Sequence, residues 1–249
     1  MSVKLSVAII TKNEEENLPE CLKSVSFSDD IVVVDSGSTD KTIDIAKDFG
    51  CRVFIEDWKG FGPQKESAIR KCLYDWVLIL DADERLPKDT QVEIKDTLKD
   101  PKYFSYSLPR KNYFHGRWIR HSGFWPDRVV RLVRKDKGRF TQVTHERWST
   151  EHPIGALNCP IEHFSFSDYS DMLLALQSYS SSVAVEMFNS GRRSSPIGAI
   201  THGIGMFLKT YFLKLGFLDG FDGLVIALTK AGGSFFKYAK LYELQRYKK

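Results

Sequence analysis

The chain has 249 residues, a formal net charge of +4 and 42% apolar residues. That length accommodates one large α/β domain, or a domain with an appendage, and the apolar share excludes wholesale disorder. The mild charge gives no reason to expect nucleic acid, and the scattered Cys21, Cys51, Cys72 and Cys159 have neither a CxxC pair nor Cys/His metal spacing, as expected of reduced thiols.

Strand and helix signals alternate from the start. Residues 3–10 are β-branched and apolar and predict a buried strand; the run at 7–10 is too short for a secretory signal and ends in charge. Asn17 is placed to cap a helix through Leu18, Leu22 and Val25. A second buried strand covers 31–34 and ends at Asp35, before the turn-rich Ser36-Gly37-Ser38-Thr39-Asp40. Asp40 is placed to cap a helix whose apolar positions are Ile43, Ile45, Ala46 and Phe49. Residues 52–55 predict a third strand, 64–73 a helix, and 76–80 a fourth strand running into Asp81-Ala82-Asp83-Glu84. Strands alternating with helices imply a mostly parallel sheet with right-handed crossovers, whose ligands bind outside the carboxyl ends of the strands. Asp35 and Asp81 both belong to that edge.

After residue 101 the texture changes. Strands are expected at 103–108 and 128–133, separated by an aromatic and basic loop with Tyr113, His115, Arg117, Trp118, Arg120, His121 and Trp125. This loop reads either as an acceptor-side wall or as ordinary mixed surface. A helix is expected over 169–188.

Several side chains are suited to chemistry. If the backbone stays extended past Leu80, Asp81 and Asp83 point the same way and offer hard oxygen ligands to Mg²⁺ or Mn²⁺ beside a diphosphate; otherwise they form a solvated acidic turn. Asp35 can accept from a nucleobase or ribose, or bond its own turn. Thr11, Asn13 and Glu14 lie at the same edge and supply donors and acceptors for a nucleotide. Lys65 and, from the strand-like run, Arg131 are the cations for a diphosphate; Arg131 faces opposite to Arg128 and Arg134. For a carboxylate base that takes a proton from a hydroxyl nucleophile, Glu146, in Thr144-His145-Glu146, is the first candidate and Asp127 the reserve. His163 is placed either to complete a metal shell or to serve the fold.

Thr11-Lys12-Asn13-Glu14, Val34-Asp35-Ser36-Gly37-Ser38-Thr39-Asp40 and Leu80-Asp81-Ala82-Asp83-Glu84 occur in an order and spacing that resemble the family 2 glycosyltransferases of GT-A fold. Phe61-Gly62-Pro63-Gln64-Lys65, Arg128-Val129-Val130-Arg131-Leu132, His145-Glu146, Ile161-Glu162-His163-Phe164-Ser165 and Leu215-Gly216-Phe217-Leu218-Asp219-Gly220 narrow the likeness to the bacterial lipopolysaccharide-core β-glucosyltransferases. The resemblance implies a nucleoside-diphosphate-sugar donor, typically UDP-glucose, inversion at the anomeric carbon, and a membrane-linked saccharide acceptor. It implies that Asp35 contacts the base, Asp81 the ribose or metal, and Asp83 the metal. The Glu-Asp base motif of many members is absent; His145-Glu146 stands near its place. A nucleotidyltransferase would carry a Gly-rich basic loop after the first strand, where this chain has an acidic one; a non-catalytic glycan- or lipid-binding scaffold would bind nucleotide without turnover.

The sequence divides into a catalytic domain over 1–194 and a tail over 195–249. From Pro196 onward there are eight Lys or Arg against three Asp or Glu, and the tail carries ten Phe or Tyr. Its longest uncharged run, 194–208, falls short of the roughly twenty residues that span a bilayer. The expectation is an amphipathic helical segment lying on an anionic membrane, which would put the protein in the cytoplasm on the inner face of the plasma membrane. A soluble cap or a homo-oligomer contact is the alternative.

Overall fold

The computed structural model describes residues 3–141, 147–166 and 168–247. In chain order the elements are β1 (Leu5–Thr11), α1 (Leu18–Ser24), β2 (Asp30–Asp35), α2 (Thr42–Asp48), β3 (Arg52–Ile55), α3 (Phe61–Lys71), β4 (Trp76–Asp81), β5 (Glu84–Arg85), α4 (Lys88–Lys99) and β6 (Ser105–Phe114). There follow β7 (Arg117–Trp118), β8 (Asp127–Arg134), β9 (Arg139–Thr141), β10 (Arg147–Ser149), β11 (Gly155–Ala156), β12 (Ile161–Phe166), α5 (Tyr169–Asn189), α6 (Pro196–Leu208) and α7 (Gly220–Tyr247). A π-helical turn, Lys209–Leu213, and a 3₁₀ turn, Gly216–Asp219, join the last two helices.

The chain forms two compact units, 1–110 with 128–163 and 111–127 with 164–249. Within the second unit α5 packs against α7.

In the first unit the strand order is β3-β2-β1-β4-β8-β6-β12-β5. The first four strands are parallel, and β8 then joins β4 antiparallel, so the sheet is mixed. Alternation explains the continuous apolar strands. Leu5, Val7 and Ile9 of β1 and Leu78 and Leu80 of β4 pack on one face with Leu18 and Leu22 of α1 and Ile94 and Leu98 of α4. Ala8, Ile10, Val77 and Ile79 pack on the other with Ala68 and Ile69 of α3. A strand covered on both faces has no polar side to show. Leu78 is fully buried, and its truncation to Ala would cost about 2–5 kcal/mol.

In the second unit α7 packs against both α5 and α6. The turn region is glycine-dependent: a Cβ at Gly223 would run into the Gly216 carbonyl oxygen, and one at Gly216 would lie 2.7 Å from Ser122 Oγ. No helix among the described residues is long and apolar enough to cross a membrane. The tail nonetheless exposes apolar side chains at helical spacing, namely Ile197, Ile200, Ile204 and Leu208, followed by Phe212 and Leu213.

Candidate active site

Register alone gathers several candidates. Thr11 pairs with Asp35 between β1 and β2, and Ile10 with Asp81 between β1 and β4, so the ends of three strands share one edge. A cleft of about 460 Å³ opens there, lined by Ile10, Thr11, Lys12, Glu14, Trp58, Phe61, Asp81, Ala82, Asp83 and His163.

The loops that follow β1 and β2 are tied to each other. Asn13 N donates to Ser38 Oγ at 2.8 Å, and Thr39 N donates to Asn13 Oδ1 at 2.8 Å. Glu14 N donates to Thr42 Oγ1 at 2.8 Å, Glu15 N to Asp40 Oδ2 at 3.1 Å, and Lys41 N to Glu15 Oε2 at 3.0 Å. Asn13 sits at φ +55°, a left-handed conformation that Asn adopts more readily than most residues. Asp35 is fully buried: its Oδ1 accepts from the backbone N–H groups of Gly37 and Ser38, and its Oδ2 from the hydroxyls of Thr11 and Ser38. Oδ1 thus serves the turn after β2, and Oδ2 joins that turn to the end of β1. Asp40 accepts from both N and Oγ1 of Thr42 where α2 begins. Burial pushes the Glu14 carboxyl up to about 6, against a hydrogen bond from Asn17 and with help from the negative charges of Asp83, Asp81 and Asp40.

Beside these loops lies a charge cluster. Lys65 Nζ is 2.8 Å from Asp81 Oδ1 and 3.1 Å from Oδ2. Arg131 Nη2 is 2.5 Å from Asp81 Oδ2 and 2.7 Å from Glu84 Oε1, which Arg110 approaches to 3.4 Å. Asp81 N donates to the other Glu84 oxygen at 3.1 Å. Burial opposes ionisation of Asp81, but Arg131 and then Lys65 prevail and hold its carboxyl well below the usual range.

Asp83 is separate. Residues 82 and 83 form a turn, so the extended geometry that would aim Asp81 and Asp83 together does not continue past Asp81. Asp83 Oδ2 is 3.2 Å from His163 Nε2, while its Oδ1 is enclosed without a hydrogen-bond partner among the described residues. The β12–β5 pairing, with His163 opposite Glu84, brings the histidine to this place. Among the described residues no three His, Cys, Asp or Glu side chains form a ready metal cluster, although Asp81, Asp83 and His163 all line the same cleft.

Glu146 lies outside the described residues. Asp127 belongs to the second unit, where Asn112 Nδ2 donates to its Oδ2 at 3.4 Å. Sequence reasoning passed over Glu84, although it lies in a quoted motif, and Arg110. It also passed over the aromatic pair Trp58 and Phe61, which meet edge-on at 4.8 Å in the cleft wall. Their spacing just ahead of Lys65 was the available signal.

Residues 6–164 match the family described as Glycosyl transferase family 2. An uncharacterized glycosyltransferase of Rickettsia typhi is 32% identical over 97% of this chain and 87% of its own length. The lipopolysaccharide core biosynthesis glycosyltransferase LpsC of Rhizobium meliloti is 31% identical over 96% of this chain and 92% of its own. Among solved structures, residues 1–349 of S. aureus TarS superpose with a TM-score of 0.51 at 17% identity, over 99% of this chain and 92% of that one. The likeness to TarS is one of fold, and the fold is GT-A.

Proposed function

This chain belongs to glycosyl transferase family 2, and from that premise we propose that it transfers a hexose, glucose before others, from a UDP-sugar to a lipid-linked saccharide of the lipopolysaccharide-core kind, with inversion. The observation that carries the donor half is the cleft at the strand ends, with Lys65 and Arg131 held against Asp81. The relative LpsC, named for lipopolysaccharide core biosynthesis, supports the acceptor half. The family assignment gives no support to the nucleotidyltransferase or scaffold readings.

In this reading Thr11, Asn13 and Glu14 border the nucleotide, and Asp35 acts through the loop it braces. Lys65 and Arg131 lie enclosed behind Asp81 and offset its charge, so that the carboxylate facing the cleft does not repel the diphosphate, and their fixed positions limit the reorganisation needed as negative charge develops on the leaving group. Trp58 and Phe61 offer ring surfaces to the base. The enclosed, unbonded Oδ1 of Asp83 suits a hard divalent cation, Mg²⁺ or Mn²⁺, with His163 orienting the same carboxylate through its other oxygen. When bound, such an ion would neutralise diphosphate charge. Glu146 is the proposed base that takes the acceptor hydroxyl proton, with Asp127 in reserve.

The exposed apolar row of α6 and the turn after it, flanked by Lys209 and Lys214, is the proposed contact with an anionic membrane surface on the cytoplasmic side. The test of the whole reading is a screen of UDP-sugars for release of UDP, with and without lipopolysaccharide-core acceptor and with and without Mg²⁺ or Mn²⁺. Acceptor-stimulated release with a UDP-hexose supports it. No release with any donor, in the presence of acceptor and metal, overturns it.

A further inference from the structure

The segment 111–127 carries five aromatic residues, Tyr113, Phe114, Trp118, Phe124 and Trp125, together with Lys111, Arg117 and Arg120. Most of its basic groups are already matched within the second unit. Arg117 donates to the Asp219 carbonyl and lies 3.9 Å from Asp222. His121 Nδ1 is 3.1 Å from Asp219 Oδ1, and His115 Nδ1 is 3.4 Å from Asp222 Oδ1.

Lys111 and Arg120 differ. Neither has a carboxylate partner among the described residues, and both gather at one indole: Lys111 Nζ is 4.8 Å and Arg120 Cζ 4.5 Å from the centre of the Trp118 ring. Trp125 meets that ring edge-on at 5.1 Å. Two cations this near one ring lie within about a Debye length, ~10 Å at 0.1 M salt, and repel each other. The ring quadrupole offsets part of that repulsion. An anion close to both would remove it, and the half-buried Trp125 beside them adds an aromatic surface against which the C–H side of a sugar ring can pack.

The segment is also held in shape. Asp219 accepts from the backbone N–H of Arg120 at 3.3 Å and of His121 at 2.9 Å. Ser122 N donates to the Lys214 carbonyl at 2.8 Å. Lys230 Nζ donates to the Ser122 carbonyl at 2.9 Å and lies 4.1 Å from the Phe124 ring centre. Asn112 Nδ2 donates to the Phe124 carbonyl at 2.9 Å. A bare solvated loop needs none of these ties, whereas a recognition surface needs fixed side chains.

We propose that Trp118, Lys111 and Arg120, with Trp125 beside them, bind an anionic saccharide, one that bears a carboxylate or a phosphate. This names the acceptor class for the transferase reading and rests on that reading only in calling the ligand an acceptor. Asp219 holds this segment through the backbone N–H groups of Arg120 and His121.

The test is a ligand-observed NMR titration of the full chain with glucuronic acid and mannose 6-phosphate, beside glucose, mannose and inorganic phosphate. The two anionic sugars should bind about tenfold or more tightly than the neutral ones and than phosphate alone. Lys111→Gln with Arg120→Gln should abolish that preference, Trp118→Ala should remove sugar binding, and Trp118→Phe should retain it. Equal affinity for charged and neutral sugars, a preference that survives the double substitution, or phosphate binding as tightly as mannose 6-phosphate would overturn the proposal. UDP is titrated into the same samples. Wild-type protein that prefers anionic sugars but binds no UDP would sink the donor reading and leave this site standing.

Discussion

Lys65 and Asp81 form an ion pair at 2.8 Å in which the lysine side chain is 1% exposed and the aspartate 25%. The cation is therefore sealed from water and the anion faces the cleft. A sealed ammonium is tolerable only because its partner is ionised, and the depressed carboxyl of Asp81 keeps it so.

Removing the lysine should expose that dependence. Lys65→Met leaves Asp81 chiefly to Arg131 and should lower stability by about 3 kcal/mol, in the range for breaking a buried pair. A carboxylate with a depressed folded value contributes stability that is fully present above its unfolded value of 3.8 and lost only as pH falls toward the folded one. The deficit should therefore stay constant from pH 5 to 8 in urea unfolding. A deficit that vanishes within that range would mean the pair is not the source.

Asp83→Ala removes the enclosed, unbonded oxygen together with the His163 contact and should abolish sugar transfer, while stability should fall by no more than about 1 kcal/mol because the unpartnered oxygen is itself costly to enclose. Chelation of wild type should do the same to activity. Full turnover of either in excess EDTA would rule out the metal.

Glu146→Gln keeps size and polarity but cannot take a proton. Turnover should fall about 10²-fold or more, with donor binding unchanged. Wild-type turnover would pass the role to Asp127, and Asp127→Asn would then be the variant to measure.

Glu14 should impose its own pH dependence on the metal-free protein. Its folded value, about 6, exceeds its ordinary 4.5, so its contribution is fully present below pH 4.5 and lost as pH rises through 6. Glu14→Gln has no such loss, and it should gain about 1–2 kcal/mol on wild type between pH 4 and pH 7.5. Parallel stability profiles in EDTA would show that Glu14 is not strained by ionisation.

Vesicle flotation tests the tail. Replacing the exposed Ile200, Ile204 and Leu208 by Ser should weaken binding to anionic vesicles at every salt concentration, because apolar insertion is not screened. Replacing Lys209 and Lys214 by Gln should weaken it at low salt by about 1 kcal/mol each and little at high salt. Wild-type protein that does not float would assign this face to another partner.

Local pattern was enough where flanks and burial agree. The strand at 52–55 coincides with Arg52–Ile55, and the helix expected at 169–188 differs from Tyr169–Asn189 by one residue. It failed where pairing overrides composition: β6 runs on to Phe114 through Pro109, Arg110 and Lys111, which read as a loop until β7 pairs with its end. The strand edge bearing Thr11, Asp35 and Asp81 was legible because parallel topology fixes it. The division of labour between Asp81 and Asp83 was not, since it depends on a two-residue turn and on Arg131, fifty positions away. The ties from Asp219 to residues 120 and 121 span about a hundred positions, and no periodicity signals them.

Those same ties bear on how the protein can change over generations. A substitution that loosens Asp219, or fills Gly216 or Gly223, would disturb the aromatic loop as much as the tail. Grafting the last fifty residues from a relative would therefore import a mismatched support for Trp118 unless residues 111–127 came with them. The two stretches, far apart in the gene, are best treated as one heritable module.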